Sequence, residues 1–90
     1  MKIAITNRFK RSFQKLTEVE KNTFQKQIEL LLRKPHPPFY PSLRIKKIKG
    51  TKDLYECSIN RTIRMTWQYY QSEYILLRNI GEHDRTLGNP

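Results

Sequence analysis

The sequence predicts an α+β domain in which a small, antiparallel-rich sheet packs on a helical hairpin, in the order β-α-α-β-β-β(-β). Three observations predict it. Between Asn7 and Lys34, apolar residues recur at helical spacing in two adjacent blocks. After the Pro-rich stretch Pro35–Pro41 the apolar period changes to two. The later alternating blocks are joined by connections so short that their neighbours must be antiparallel. The chain has 90 residues, a length for one domain spanning residues 1–90. Such a chain buries roughly 60–68% of its unfolded surface, enough for one modest core.

The elements run in order along the chain. Lys2–Thr6 alternates and is short, the mark of a strand. Asn7 can cap a helix whose stripe is Phe9, Phe13 and Leu16. Thr17 and Glu20 have the spacing of a capping box and open a second helix. That helix carries Phe24, Ile28, Leu31 and Leu32 on one face, with Arg33 and Lys34 in its last turn, where cations suit the helix dipole. Pro35 stops it and begins a stiff extended loop. Leu43–Lys49 is then predicted as a basic strand, Gly50–Asp53 as a turn, and Leu54–Asn60, Ile63–Tyr70 and Glu73–Ile80 as strands. Leu76–Pro90 closes the chain as a strand exit ending in a turn-rich stub.

Alternation sorts the faces of the sheet. Tyr55, Cys57, Ile59, Ile63, Met65, Trp67, Ile75 and Leu77 are predicted to face the helices. Glu56, Ser58, Arg64, Thr66 and Arg78 then share the other face, which is polar rather than a second core.

Charge is the strongest global signal. Eighteen Lys and Arg against eight Asp and Glu leave a formal +10. Residues 1–50 carry a net +10 and residues 51–90 a net of zero. So basic a half predicts a polyanion, an anionic surface or an acidic protein as partner. One cysteine, Cys57, excludes an internal disulfide. No CxxC or HxxxH pair predicts a metal site, no Gly-rich loop predicts a phosphate cradle, and no cofactor is expected. No apolar run nears the roughly 20 residues of a membrane span. No signal sequence opens the chain, since Met1–Thr6 is short and gives way to polar residues, so the chain is read as cytoplasmic. No helix combines a basic face with a large apolar one, so no membrane partner is expected.

The segments Leu43–Trp67 ("LRIKKIKGTKDLYECSINRTIRMTW") and Tyr74–Asp84 ("YILLRNIGEHD") resemble the RelE/ParE toxin superfamily of type II toxin–antitoxin systems. Its members show a lysine-rich strand, a Gly turn, an aromatic-started strand, an Arg followed by hydrophobic and aromatic residues, and a hydrophobic-G-x-H ending. Here Arg64 meets the Arg position and Gly81–His83 the G-x-H. The resemblance implies a metal-independent endoribonuclease that cleaves messenger RNA, commonly on the ribosome, and inhibits translation. The 2′-hydroxyl would attack the adjacent phosphate, giving a cyclic or 3′-phosphate end. It also implies a cognate antitoxin protein as partner. Two departures stand out. Glu56 and Ser58 occupy positions where some ribosome-dependent members carry lysines, and Leu87–Pro90 offers no tyrosine. Two alternatives stay open: a DNA gyrase inhibitor of the ParE type, and a non-catalytic relative that only binds an antitoxin.

Three residues are expected to carry the chemistry. An imidazole near neutral pKa exchanges protons at working pH, so His83 can protonate the leaving 5′-oxygen. Arg64 can hold a phosphate through paired N–H donors, or else pair with Glu56 across the strands. Glu56, or a lysine, is the candidate base. Lys46, Lys47, Lys49, Arg61 and Arg78 are expected RNA-binding residues through backbone phosphates. Alternation places Lys46 and Lys47 on opposite faces. Asp84 either orients His83 or points away. His36 carries no expected role. Phe39, Tyr40 and Tyr70 have rings that can stack on bases, but such aromatics more often close a small core.

Overall fold

The computed structural model describes residues 1–90. Strand β1 (Lys2–Ile5) gives way to helix α1 (Asn7–Gln14) at Thr6, whose Oγ1 accepts the Phe9 N–H at 3.0 Å. The cap is therefore Thr6, not Asn7: a hydroxyl on extended backbone ends the strand and satisfies the helix start in one step. Helix α2 (Glu18–Arg33) opens on the expected capping box, with Thr17 Oγ1 accepting from Glu20 N–H at 3.1 Å and Glu20 Oε1 accepting from Thr17 N–H at 2.8 Å. Phe9, Phe13 and Phe24 lock the hairpin through ring centroids 5.0–5.8 Å apart.

After a 3₁₀ turn (Pro41–Leu43) come β2 (Lys46–Lys47), β3 (Tyr55–Ser58), β4 (Ile63–Tyr70), β5 (Tyr74–Glu82) and helix α3 (His83–Gly88). The sheet order is β1-β5-β4-β3-β2; β1 runs parallel to β5, and every other pair is antiparallel. The core lies between hairpin and sheet, where Phe24, Ile28 and Leu31 meet Cys57, Met65, Trp67, Ile75 and Leu77. Each such fully buried large side chain stabilises the fold by about 1.5–3 kcal/mol.

Three expectations are corrected. The basic strand contracts from Leu43–Lys49 to Lys46–Lys47, because Leu43 turns into the core inside the 3₁₀ turn that Pro41 starts. The turn-rich stub is helix α3, packed on β4 and β5 and anchored by buried Thr86. It has no side-chain N-cap bond and almost no apolar stripe, so local patterning does not announce it. Finally, Ser58 and Thr66, expected on an open polar face, are buried. Thr66 Oγ1 donates to the Pro90 carbonyl at 3.0 Å, which shows the tail after α3 lying over that face.

A bulge explains a further departure from alternation. Thr66 pairs with Asn79 but Trp67 with Leu77, so Arg78 is the extra residue. Asn79 and Ile80 are consequently both buried. Asn79 is satisfied there: its Oδ1 accepts from Ser12 Oγ at 2.8 Å, and its Nδ2 donates to the Asn89 carbonyl at 3.0 Å.

Candidate active site

The β3–β4 connection builds the centre of the site. Asn60 Oδ1 accepts the N–H groups of Thr62 and Ile63 at 2.9 and 2.8 Å, an Asx turn that reverses the chain. Arg64 comes next, near the start of β4, opposite Ser58 on one side and Gly81 on the other. Its Nη1 donates to the carbonyls of Asn60 (2.7 Å), Ile63 (3.2 Å) and Arg61 (3.3 Å). One nitrogen thus anchors the guanidinium to its own turn, and the other two have no protein partner. The expected alternative, an ion pair with Glu56, does not form; the one Lys or Arg ion pair of the fold is Lys21–Glu18, and the other close acid contact is His83 with Asp84.

Beside Arg64 opens a cleft of about 440 Å³. Arg44, Arg61 and Arg64 line it together with Ser42, Ser58 and Asn60, and no carboxylate does. Gln27 of α2 forms its floor, its Nε2 donating to the carbonyls of Ser58 (2.8 Å) and Ser42 (3.3 Å). That bridge holds the loop carrying Arg44 against the end of β3. Three guanidinium groups around a space without a counter-charge have the chemistry to accept an anion. Arg61 and Arg64 were legible as functional candidates. Arg44, Gln27 and Asn60 were not: Gln27 reads as an ordinary surface position of α2, and only the "N-x-T" turn chemistry of Asn60 gave a signal.

The remaining candidates do not line this cleft. Glu56 is half-buried on β3, with Lys46 and Thr66 as its cross-strand neighbours. Lys46 therefore shares its face, whereas Lys47 pairs with Tyr55 and sits on the other. Cys57, next to Glu56 in the chain, senses both charges of the site. Burial pushes its thiol up to about 12, with Glu56 adding to the rise and Arg64 opposing it. His83 is the first residue of α3, where its backbone N–H donates to the Thr62 carbonyl at 2.9 Å. Its imidazole is half-exposed, and Nδ1 lies 3.1 Å from Asp84 Oδ1. Lys49 lies past β2, in the connection towards β3. Arg78 is committed elsewhere, to Gln68 Oε1 (2.6 Å) and the Pro90 carbonyl (3.1 Å). His36 stacks on Tyr69 at 5.1 Å, and the Tyr69 hydroxyl donates to the Pro35 carbonyl, so both close the Pro loop onto the sheet.

Sequence comparison finds no matching family model and no matching curated protein. Solved structures do match. RelE from the RelE–RelB complex of Pyrococcus horikoshii superposes with a TM-score of 0.72 at 18% identity, over 93% of this chain and 96% of that one. YafQ from Escherichia coli gives a TM-score of 0.76 at 9% identity, over 92% and 93%. The YoeB/ParE toxin from Agrobacterium tumefaciens gives 0.76 at 15% identity, over 92% and 99%. With the match running over nearly the whole of each chain, the fold of this protein is the fold of the RelE, YafQ and YoeB/ParE toxins.

Proposed function

We propose that the chain is the toxin of a type II toxin–antitoxin system: an endoribonuclease that cleaves messenger RNA and inhibits translation. The observation that carries this reading is the register around Arg64. Glu56 is level with Thr66, and His83 leaves β5 level with Thr62. The two therefore lie in register with positions two residues to either side of Arg64, a span on the order of 13 Å at ~3.3 Å per residue. In this reading a phosphate at Arg64 and Arg61 would lie between the candidate base and the candidate acid, as an in-line displacement needs.

The chemistry is a transesterification. Glu56, or Lys46 across the strand from it, takes the proton of the 2′-hydroxyl. The 2′-oxygen bonds to phosphorus as the P–O5′ bond breaks, and His83, oriented by Asp84, gives its proton to O5′. The products are a 2′,3′-cyclic phosphate, which water can open to a 3′-phosphate, and a 5′-hydroxyl. Arg64 and Arg61 stabilise the charge that builds on the phosphate in the transition state. No step is assigned to a metal. Lys46 and Lys49 steer the RNA backbone towards the face. Structural neighbours solved with their antitoxins, such as RelBE and DinJ–YafQ, support an antitoxin as the protein partner.

The test is to induce the chain in a bacterial host and map new 5′ ends on messenger RNA, beside His83→Ala and Arg64→Ala controls of equal abundance. New ends within translated frames, lost in both folded controls, are the expected result. Full toxicity from both controls would sink the assignment. Growth arrest with intact transcripts and trapped DNA cleavage complexes would replace it with gyrase inhibition.

A further inference from the structure

Arg44 ends the 3₁₀ turn in the left-handed region, at φ 48° and ψ 49°. Glycine takes that conformation without steric cost, and arginine does not. The side chain that occupies this position has no hydrogen-bond or ion-pair partner in the protein. It borders two cavities. One is the guanidinium cleft shared with Arg61 and Arg64. The other is an open groove of about 240 Å³, lined by Phe39, Tyr40, Pro41 and Ile45 as well as Arg44.

The groove adds two aromatic rings, Phe39 and Tyr40, beside the cationic cleft. Phe39 stands edge-on to buried Trp67, with centroids 6.1 Å apart at 85°, so the shelf is braced by the core. The Lys34 ammonium sits 4.9 Å from the Tyr40 ring centroid and adds positive charge beside the groove. An aromatic shelf next to a cluster of guanidinium groups that no carboxylate pairs matches a nucleotide, which is a flat ring joined to a phosphate.

Building on the ribonuclease reading, we propose that cleft and groove together form a subsite for a nucleotide flanking the cut. Its base lies on the Phe39–Tyr40 shelf, and its phosphate bridges Arg44 and Arg61, next to the phosphate held for cleavage at Arg64. Arg44 is a positioning residue: it sets which stretch of single-stranded RNA is in register with the cut and takes no part in the chemistry.

The experiment uses the purified full chain and a fluorescent pentaribonucleotide made resistant to cleavage by 2′-O-methyl groups. Binding is followed by anisotropy across a salt series, for wild type and Arg44→Gly, with abasic versions of the probe at each position. Arg44→Gly should keep or raise the melting temperature, because glycine fits the backbone. It should weaken binding roughly tenfold and reduce the slope of log affinity against log salt by about 0.7, the value for one lost single-strand phosphate contact. In wild type, one abasic position should cost roughly tenfold, the size of a lost stacking contact. Arg44→Gly binding within twofold of wild type, or no abasic position with any effect, overturns the subsite. Displacement of the probe by a heptaglutamate peptide, with equal strength and the same Arg44 dependence, reassigns the site to an acidic protein partner. These binding outcomes stand apart from the cleavage test, so failure of wild type to cut RNA overturns the ribonuclease reading without deciding the subsite.

Discussion

At the scale of single residues, the site depends on side chains that do two things at once. Arg64 anchors itself through Nη1 and leaves its other nitrogens without a protein partner, free to hold a phosphate in the proposed reading. A lysine cannot do both, since it lacks the planar fork. Arg64→Lys is therefore expected to lose most cleavage activity and about 1 kcal/mol of stability from the carbonyl bonds, measured by transcript mapping and thermal melting. Cys57 gives a prediction about pH. Its thiol rises from 9.0 to about 12 on folding, mainly through burial. Between those values the unfolded chain releases a proton that the folded chain keeps. The stability this group contributes is therefore complete below pH 9 and is lost as the pH climbs towards 12. Cys57→Ser should show a shallower loss of stability than wild type over that alkaline range in denaturant titrations. The wild-type thiol should also resist alkylation at about pH 8 until the protein is unfolded.

At the scale of elements, α2 and α3 contrast. Helix α2 is specified locally by Thr17 and Glu20, and it carries Gln27 to the floor of the cleft. Thr17→Ala should cost about 1 kcal/mol and lower the melting temperature by about 4–8 °C, with cleavage unchanged below the transition. Helix α3 is held by tertiary contacts instead: packing on β4 and β5, the His83 N–H on the Thr62 carbonyl, and the Thr66 and Asn79 side chains on the carbonyls of Pro90 and Asn89. A methyl group on Gly81 would stand 3.0 Å from Thr86 Oγ1, and Gly81 already has φ +157°. Thr86 is the buried anchor of α3, so it cannot swing away freely. Gly81→Ala is expected to destabilise the fold by about 1–3 kcal/mol and to depress cleavage by displacing His83. Unchanged melting and activity in that variant would show that α3 does not set the position of His83.

Across the whole molecule, charge and topology meet at the cleft. The excess positive charge belongs to residues 1–50, yet two of the three cleft guanidiniums, Arg61 and Arg64, come from the electrically balanced half. The sheet brings them to Arg44 because β3 and β4 turn back beside the loop that Gln27 ties down. A +10 chain presented to a polyanion should show binding that falls steeply with salt. For wild type on the uncleavable oligonucleotide, a log–log slope of about −2, from three guanidinium contacts at ~0.7 each, is expected. A slope near zero would mean that the positive face does not contact the RNA backbone.

The parts of this protein that sequence alone determined are those governed by neighbours in the chain. Ile63–Tyr70 is a strand with the bounds that alternation assigns it, and Thr17–Glu20 starts a helix, because period and capping are local energies. The motif residues Arg64 and His83 stood out for another reason: the resemblance to a known family, not a local energy, marked them as candidates. Tertiary structure decided the rest. The bulge at Arg78, the helical fate of His83–Gly88, the burial of Thr66 and the meeting of Gln27, Arg44 and Arg64 all rest on contacts between residues far apart in sequence. Arg44 is the clearest case. Nothing in "PSLRIKK" distinguishes it from the cations after it, and it gains its place only when a 3₁₀ turn replaces the first half of the expected strand. Leu43 drives that exchange, because burying its side chain outweighs the two-residue period that would have kept the segment extended.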